Sequence, residues 1–321
     1  MDDFRNKGNK PTKTGFGEGL AFAGEIVKEL VCLGADITAS VGMNYFSEKF
    51  PDRFISLGIA EQNCAAVAAG LALAGKIPVF STYGVFAAQR ATDQIRVSIC
   101  YNKLHVIIGG AHAGISVGPD GATHQALEDI ATMRVLPNMT VLSPCDATQT
   151  RLAIIAAIRE LNGPVYIRFG REPVPDFTTD DQDFTVGKAQ LLKGGEDLTI
   201  IACGHMVWEA IRAAEILETE NIRAAVINMH TIKPIHKEAI IGAAQHTGAI
   251  LTAEEHQVIG GLGGAVAEVL GQYFPVPLEM VGMQDCFGES GKPEELMKKY
   301  GLDAFGIVRS AMKLIERKEN I

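Results

Sequence analysis

Short runs of apolar and β-branched residues alternate with stretches of helical apolar spacing along most of this chain. In the first half, the apolar runs predict the strands Ile37–Val41, Phe54–Leu57, Pro78–Ser81, His105–Gly109, Thr140–Leu142 and Val165–Phe169. The spacing between them predicts the helices Leu20–Val31, Ala60–Ala74, Val85–Cys100 and Ala147–Leu161. This alternation predicts an α/β domain with a parallel sheet, in which ligands bind at the carboxyl ends of the strands.

A polar stretch divides the chain at residues 171–183, REPVPDFTTDDQD, which contains two prolines and several acids and predicts a linker. After it the alternation restarts, with predicted strands Leu198–Ala202, Ala224–Met229, Ala249–Thr252 and Leu278–Val281. The predicted helices here are Trp208–Glu218, Lys237–His246 and Gly263–Tyr273, followed by two closing helices. We therefore predict two parallel-sheet α/β domains, a doubly wound one over residues 1–185 and a smaller one over residues 186–321. A length of 321 residues also suggests two domains.

The charge balance restricts the class of ligand. Lys and Arg number 29 and Asp and Glu 38, which gives a net charge of −9, and no Lys/Arg block is present. A chain of this kind is a poor general binder of nucleic acid. An anionic small substrate is compatible with it, because a few placed cations can dominate one cleft.

Apolar runs and cysteines predict the location of the protein. The longest apolar run, residues 64–75, is shorter than the ~20 residues that a membrane helix needs, so we expect no membrane association. The polar start of the chain does not resemble a secretory signal. Six scattered cysteines without a CxxC pair predict reduced thiols in a cytoplasmic protein.

Glu61, within LGIAEQN, follows a predicted strand and begins a predicted helix. A glutamate in a first helical turn often only complements the helix dipole. The helix that follows is nearly all Ala, Leu, Val and Gly, which indicates that this end is buried. A buried carboxylate needs a partner, so Glu61 is a candidate functional residue.

Tyr83 and Phe86, within STYGVFAAQR, are spaced i,i+3 and would share one face if Gly84 begins a helix. Two aromatic residues with this spacing usually belong to a core. They could also form a stacking wall for a flat heterocycle.

The glycine-rich segment HAGISVGPDGATHQ, residues 112–125, predicts a loop after a strand and brings His112, Asp120 and His124 together. A metal site is one interpretation, but neither close pairing nor HxxxH spacing supports it. Acid–base chemistry and hydrogen bonding to a polyhydroxy substrate fit these residues better. A solvated loop is the alternative.

The segment IGGLGG, residues 259–264, only loosely resembles a dinucleotide-binding loop, because the strict GxGxxG order is absent. Glycines for a tight turn and close helix packing are the preferred interpretation. We interpret the preceding Glu254, Glu255 and His256 as polar residues of a domain interface.

Taken in order, GIAEQN, STYGVF and VGPDGATHQ resemble the thiamine-diphosphate-dependent transketolase family. The likeness is to the C-terminal half, which some organisms encode as a separate subunit, and it covers nearly the whole chain. It implies a pyrimidine-binding domain to about residue 185 and then a transketolase C-terminal domain. It also implies transfer of a two-carbon ketol unit from an anionic ketose, such as a sugar phosphate or a sulfosugar, to an aldose phosphate.

The resemblance implies roles for the motif residues. Glu61 matches the glutamate that hydrogen-bonds N1′ of the cofactor's aminopyrimidine, and Tyr83 and Phe86 match the aromatic residues that stack on that ring. His112 matches a catalytic residue near the anionic end of the substrate. His124 matches one near the reacting carbonyl.

By the same resemblance, Asp120 contacts a substrate hydroxyl and Arg171, in FGREP, binds the substrate phosphate. Three positions depart from the family pattern. Lys13 stands where an arginine is common, Asn44 where a phosphate-contacting serine is often found, and Ser40 where an acidic residue is common. These changes leave open whether the anionic group is a phosphate or a sulfonate.

The family binds the diphosphate and its Mg²⁺ or Ca²⁺ through a separate domain with a Gly-Asp-Gly motif, which this sequence lacks. The resemblance therefore implies an obligate complex with an N-terminal-section transketolase subunit that holds the metal. It implies an α2β2 heterotetramer with active sites at the interfaces.

Other functions stay open at this point. One rival is the β subunit of a 2-oxo acid dehydrogenase E1, but the loop and Arg171 favour a polyhydroxy, anionic substrate. A 1-deoxyxylulose-phosphate-synthase-like enzyme is another, although that enzyme normally carries both halves in one chain. A non-catalytic regulatory paralogue would not need Glu61 and both loop histidines. A nicotinamide dehydrogenase would have to use IGGLGG.

Overall fold

The computed structural model describes residues 4–182 and 184–320; the predicted domains and linker also include residues 1–3, 183 and 321, which lie outside the described residues. The strands are β1 Asn9–Pro11, β2 Leu30–Gly34, β3 Phe54–Ser56, β4 Ile77–Tyr83, β5 Ile107–Ala111, β6 Thr140–Leu142, β7 Val165–Arg168, β8 Pro173–Pro175, β9 Gln190–Lys193, β10 Leu198–Ala202, β11 Ala224–Asn228, β12 Thr231–Lys233, β13 Ile250–Gln257 and β14 Leu278–Met283. The helices are α1 Thr12–Ile26, α2 Asn44–Lys49, α3 Glu61–Leu73, α4 Thr92–Gln94, α5 Asp129–Val135, α6 Ala147–Arg159, α7 Met206–Thr219, α8 Lys237–Thr247, α9 Leu262–Tyr273, α10 Pro293–Lys299 and α11 Ala304–Glu319.

Two predominantly parallel sheets organise the described part of the chain. The first has the strand order β12-β6-β7-β5-β4-β2-β3, and β12, its antiparallel edge strand, comes from the second half of the sequence. The second has the order β14-β13-β10-β11-β9, with β9 antiparallel. The predicted α/β fold class is confirmed. Central strands such as β2, β5 and β10 are buried at every residue, as expected for parallel strands covered on both faces.

The predicted strand at Ile37–Val41 is wrong. The strand lies earlier, at Leu30–Gly34, and pairs with β3 on one side and β4 on the other. The first helix accordingly ends at Ile26, before the strand. Residues 37–41 instead form turns between Asp36 and Gly42, which have φ values of 65° and 77°. A short apolar run is compatible with the period of a helix and with that of a strand. Here, pairing with β3 and β4 places Leu30–Gly34 in the sheet.

The helix predicted at Val85–Cys100 is present but is not a regular α-helix. Its backbone makes wide π-helical turns at Phe86–Arg90 and Ile95–Cys100, on either side of α4. Such turns often occur at functional sites, because the extra residue redirects side chains.

The predicted linker packs against the first domain. Its residues 173–175 form β8, which pairs with β1. Phe177 and Thr178 are buried, and their backbone N–H groups donate to the Asp146 carboxylate at 2.9 and 2.7 Å. The same carboxylate accepts from the Thr178 hydroxyl and caps α6 through the N–H of Gln149. One buried acid therefore joins the linker to a helix of the first domain.

Replacing Asp146 with Asn should lower the free energy of unfolding by about 2–4 kcal/mol, because an amide cannot accept all of these hydrogen bonds and leaves buried donors unpaired. Urea unfolding measures the change. As a matched control, Asp180→Asn alters an exposed ion pair with Arg151 and should change stability by less than about 0.5 kcal/mol. Equal effects of the two substitutions would contradict this account of the linker.

Candidate active site

The predicted site residues follow neighbouring strands of the first sheet. Glu61 comes after β3, Tyr83 ends β4, His112 follows β5 directly, and Arg171 follows β7. These strands are parallel, so their carboxyl ends meet at one edge of the sheet. The topology thus places residues from four separate sequence segments at the same edge.

Glu61 begins α3 and is 2% exposed. Its Oε2 accepts a hydrogen bond from Arg90 Nη1 at 3.0 Å. The Arg90 guanidinium also lies 4.3 Å from the centre of the Phe86 ring. The sequence predicts a partner for this carboxylate but does not identify Arg90. The signal in the sequence was the arginine that ends STYGVFAAQR, which is the last residue of the π-helical turn.

Four rings form a continuous wall beside Glu61. Tyr83 and Phe86 are adjacent as predicted, with ring centres 5.9 Å apart, although Tyr83 belongs to the strand and not to a helix. His124 meets both rings edge-on at 5.7 and 5.4 Å. The ring centres of His112 and Tyr83 are 4.2 Å apart, and the two ring planes are tilted by 33°. The loop histidines and the aromatic pair therefore belong to one cluster.

The surroundings of His112 keep its ring uncharged at neutral pH. Burial lowers its pKa to about 3, and the positive charges of Lys13 and Arg171 contribute to this lowering. Its Nδ1 is buried without a hydrogen-bond partner. Its backbone has a φ of 52°, a conformation that is uncommon outside glycine and often found at functional sites. The ring is thus uncharged at neutral pH, and its Nδ1 is an enclosed, unpaired polar atom.

A cationic end adjoins this wall. Arg171 Nη1 lies 3.0 Å from Asp120 Oδ2, so two residues predicted from separate motifs are in contact. Arg171 Nε donates to Glu172 at 3.0 Å. Lys13, near the start of α1, has a lowered pKa because of burial and the nearby charge of Arg171. Two cations close together favour binding of an anion.

Asn44 is brought to this region but not into direct contact with the cations. It begins α2, and its side chain contacts Glu48 of the same helix at 3.4 Å. The preceding Gly42 lies so close to Lys13 that a Cβ there would sit 2.3 Å from the Lys13 carbonyl oxygen. The start of α2 therefore packs on the start of α1.

A carboxylate of the protein itself binds the glycine segment at residues 259–264. The strand β13 extends to Gln257, so Glu254, Glu255 and His256 lie on the strand itself, whereas the predicted strand ended at Thr252. The Glu254 carboxylate accepts from the N–H groups of Leu262 and Gly263 at 2.7 and 2.8 Å. Because this carboxylate occupies the amides at the start of α9, the turn interpretation fits better than a dinucleotide site.

Membrane spans and metal clusters are both absent from residues 4–182 and 184–320. In this part of the chain every helix is too short or too polar to cross a membrane. No three His, Cys, Asp or Glu side chains are grouped there to hold a metal ion.

NMR of labelled histidine should show His112 uncharged from about pH 8 to about pH 5. In Lys13→Ala and Arg171→Ala its pKa should rise, because each removes a positive neighbour, yet stay below the ordinary value because burial persists. His230 is the internal control: burial and His236, not these cations, lower its pKa to about 4, so it should not respond. A His112 ring that titrates near its ordinary pKa would contradict the site electrostatics.

Comparison with known proteins identifies the domains and the family of this chain. Residues 9–176 match the transketolase pyrimidine-binding domain, and residues 187–307 match the transketolase C-terminal domain. The 6-deoxy-6-sulfo-D-fructose transketolase subunit of Clostridium sp. strain MSTE9 is 46% identical over 90% of this chain and 89% of its own. An apulose-4-phosphate transketolase subunit of Phocaeicola vulgatus is 40% identical over 90% of this chain and 93% of its own.

A solved structure described as a split gene transketolase, inactive beta4 tetramer, superposes with a TM-score of 0.90. It shares 49% identity and covers 96% of this chain and 99% of its own. The match over the full length of such single subunits, and not over one half of a longer enzyme, confirms the resemblance drawn from the motifs. The chain belongs to the transketolase family and corresponds to the subunit that combines the pyrimidine-binding and C-terminal domains.

Proposed function

We propose that this chain is one subunit of a two-subunit, thiamine-diphosphate-dependent transketolase. The enzyme transfers a two-carbon ketol unit from an anionic ketose to an aldose phosphate. The observation that carries the proposal is the buried Glu61 carboxylate, which stands beside an aromatic wall that leads to two cations. The similarity to named transketolase subunits over nearly the whole chain supports it.

The residues present fit the aminopyrimidine half of the cofactor. A flat ring with polar edges needs an aromatic surface and a carboxylate at its rim. Tyr83 and Phe86 provide the surface, and Glu61 is joined to Phe86 through the Arg90 guanidinium. When bound, thiamine diphosphate supplies the carbon centre at which the donor carbonyl reacts. Glu61 would hold the hydrogen bond to N1′, and ring stacking would add roughly 0.5–1.5 kcal/mol beyond area burial.

Arg90 balances the charge of Glu61 in the proposed cofactor site. Its guanidinium is the counter-charge of Glu61 and lies against Phe86, so it keeps the carboxylate compensated inside the protein. Arg90 is about half exposed, which leaves it free to adjust when a ligand arrives.

The loop histidines handle the polar part of the substrate. His112 is uncharged, so it would meet the substrate as a neutral imidazole, which can accept or donate a hydrogen bond. His124, edge-on to the aromatic wall, would move protons at the reacting carbonyl and its hydroxyls. Asp120 would accept from a hydroxyl group while it holds Arg171 in place.

The anionic end of the substrate would bind at Arg171 and Lys13, near Asn44. The planar guanidinium can bind two oxygens of a phosphate or a sulfonate. The similar proteins are named for one of each, a sulfo-sugar and a sugar phosphate, so both anions belong in the substrate test.

The diphosphate and its Mg²⁺ or Ca²⁺ would be held by an N-terminal-section partner, with two copies of each chain. The outward face of α3 exposes the polar Gln62 and Asn63 next to Glu61 and then the small Ala66 and Gly70. The apolar Leu73 lies at its end and Ile59 before it. Small residues allow close approach of another chain, and exposed apolar ones favour it. We also propose a cytoplasmic location, because all six cysteines are free thiols.

Calorimetry with thiamine diphosphate and Mg²⁺ tests the cofactor assignment. It is run on this chain alone, on the product of the neighbouring gene alone and on the two chains co-expressed. Only the mixture should bind and turn over ketose phosphates or sulfosugars. In the mixture Glu61→Gln should lower kcat by about 100-fold or more without loss of assembly. Glu316→Gln, a control on the exposed face of α11 in the second domain, should leave turnover unchanged. Normal activity of Glu61→Gln would refute the proposal.

Arg171→Ala should raise KM for the anionic ketose about tenfold or more, since a charge-assisted hydrogen bond to the anion is lost, while kcat changes less. Steady-state kinetics with phosphate- and sulfonate-bearing donors measures this. The control is Arg212→Ala, an exposed arginine of the second domain that pairs with Glu215. An unchanged KM in Arg171→Ala would place the anion elsewhere.

A further inference from the structure

The loop 112–125 carries three proposed site residues, yet part of its backbone is held by the second domain. Glu255, from β13, is 4% exposed. Its Oε1 accepts from the backbone N–H of Ser116 at 2.5 Å. Its Oε2 lies 3.1 Å from Nδ1 of His205, which precedes α7. A carboxylate of one domain therefore joins the loop of the other to a histidine.

The fit between Glu255 and the loop is close. Gly114 has a φ of 90°, and a Cβ there would lie 2.1 Å from the Glu255 carboxyl carbon. Only glycine satisfies both the backbone and the space. The Glu255 carbonyl accepts from Arg168 Nη2 at 2.7 Å, and the same nitrogen donates to the Ala126 carbonyl at 3.1 Å. The contact thus extends to both ends of the loop.

A second segment of the same domain covers the rest of the loop. Gln125 Nε2 donates to the Glu289 carbonyl at 2.9 Å. A Cβ on Gly118 would meet Pro293 at 3.0 Å, and a Cβ on Gly121 would meet the Ser290 hydroxyl at 2.6 Å. The loop therefore lies between β13 and the segment that leads into α10.

We propose that Glu255 and His205 are positioning residues, through which the second domain sets the loop so that His112, Asp120 and His124 face the donor sugar. This rests on the proposed function for its catalytic meaning, but the geometry of the loop can be tested without it. The glutamate acts through the Ser116 amide and touches neither the proposed cofactor site nor the aromatic wall. The proposal accounts for both acids of the pair Glu254–Glu255. Glu254 caps α9, and Glu255 holds the loop.

The charges around this pair support an ionised contact. Burial by itself raises the pKa of Glu255, but His205 and Arg168 hold it below its ordinary value. Burial by itself lowers the pKa of His205, but the carboxylates of Glu255 and Glu209 raise it above the ordinary value, against the charge of Arg168. The stabilisation from His205 is therefore complete below its unfolded-state pKa and is lost as pH rises through its raised folded-state pKa.

Hydrogen exchange on the intact chain tests the proposal without cofactor or partner. Glu255→Ala should raise exchange at Ser116 and its neighbours by about tenfold or more and leave the amides of β10 unchanged. Glu255→Gln should give a smaller increase, because its amide oxygen can still accept from Ser116. The matched control is Glu279→Gln on the neighbouring strand β14, which breaks an ion pair with Arg317 of α11 and should not affect the loop.

Two further readouts separate positioning from mere stability. After correction for the intrinsic rate, loop exchange in the wild type should increase from about pH 6 to about pH 9, and in His205→Gln it should not. In the assembled enzyme, Glu255→Ala should lower kcat/KM for the donor about tenfold, with the Kd for thiamine diphosphate unchanged.

Unchanged loop exchange in Glu255→Ala, or an equal increase in β10, would overturn the proposal. So would a loss of cofactor affinity equal to the loss of kcat/KM. Failure of the assembled enzyme to bind thiamine diphosphate would instead remove the proposed function, and the exchange result on the chain alone would stand.

Discussion

The arrangement of the two domains depends on the contacts that the buried guanidinium of Arg168 makes. Arg168 ends β7 and donates to the Asp129 carboxylate at 3.0 and 3.2 Å. Tyr166 donates to the same carboxylate at 2.7 Å. Because Arg168 also reaches the carbonyls of Ala126 and Glu255, one side chain joins a strand, the end of the loop and the second domain. Removing one partner of such a buried pair costs about 3–5 kcal/mol, because the other charge is left uncompensated.

Around this contact, the site divides into two electrostatic regions. At one end Glu61 has its charge balanced by Arg90, beside rings that suit a flat heterocycle. At the other end Lys13 and Arg171 form a region of positive side chains, in which Asp120 and Glu172 both pair with Arg171. His112 lies between them, and its lowered pKa follows from burial and from that positive region. A flat heterocycle at the first end and the anionic group of a substrate at the other match this order of groups.

The same arrangement explains why the second domain matters to a site that lies at the edge of the first sheet. A glycine-rich loop orders itself poorly, because glycine loses the most conformational freedom on folding. Here the tight glycine positions fit against Glu255, Ser290 and Pro293, so the second domain supplies the contacts that offset this loss. The flexibility of the sequence and the order of the loop are therefore compatible.

By itself, the sequence determined the alternation of strands and helices, the two-domain α/β class and the identity of the chemical groups in three motifs. These follow from local periodicity and composition, which act within a few residues. Only the tertiary structure decided that β2 lies at Leu30–Gly34, that Arg90 is the partner of Glu61 and that Asp120 contacts Arg171. It also decided that Glu255 reaches the loop from 139 residues away. Each of these depends on strand pairing or burial between distant segments, and no local pattern encodes the free energy of those contacts.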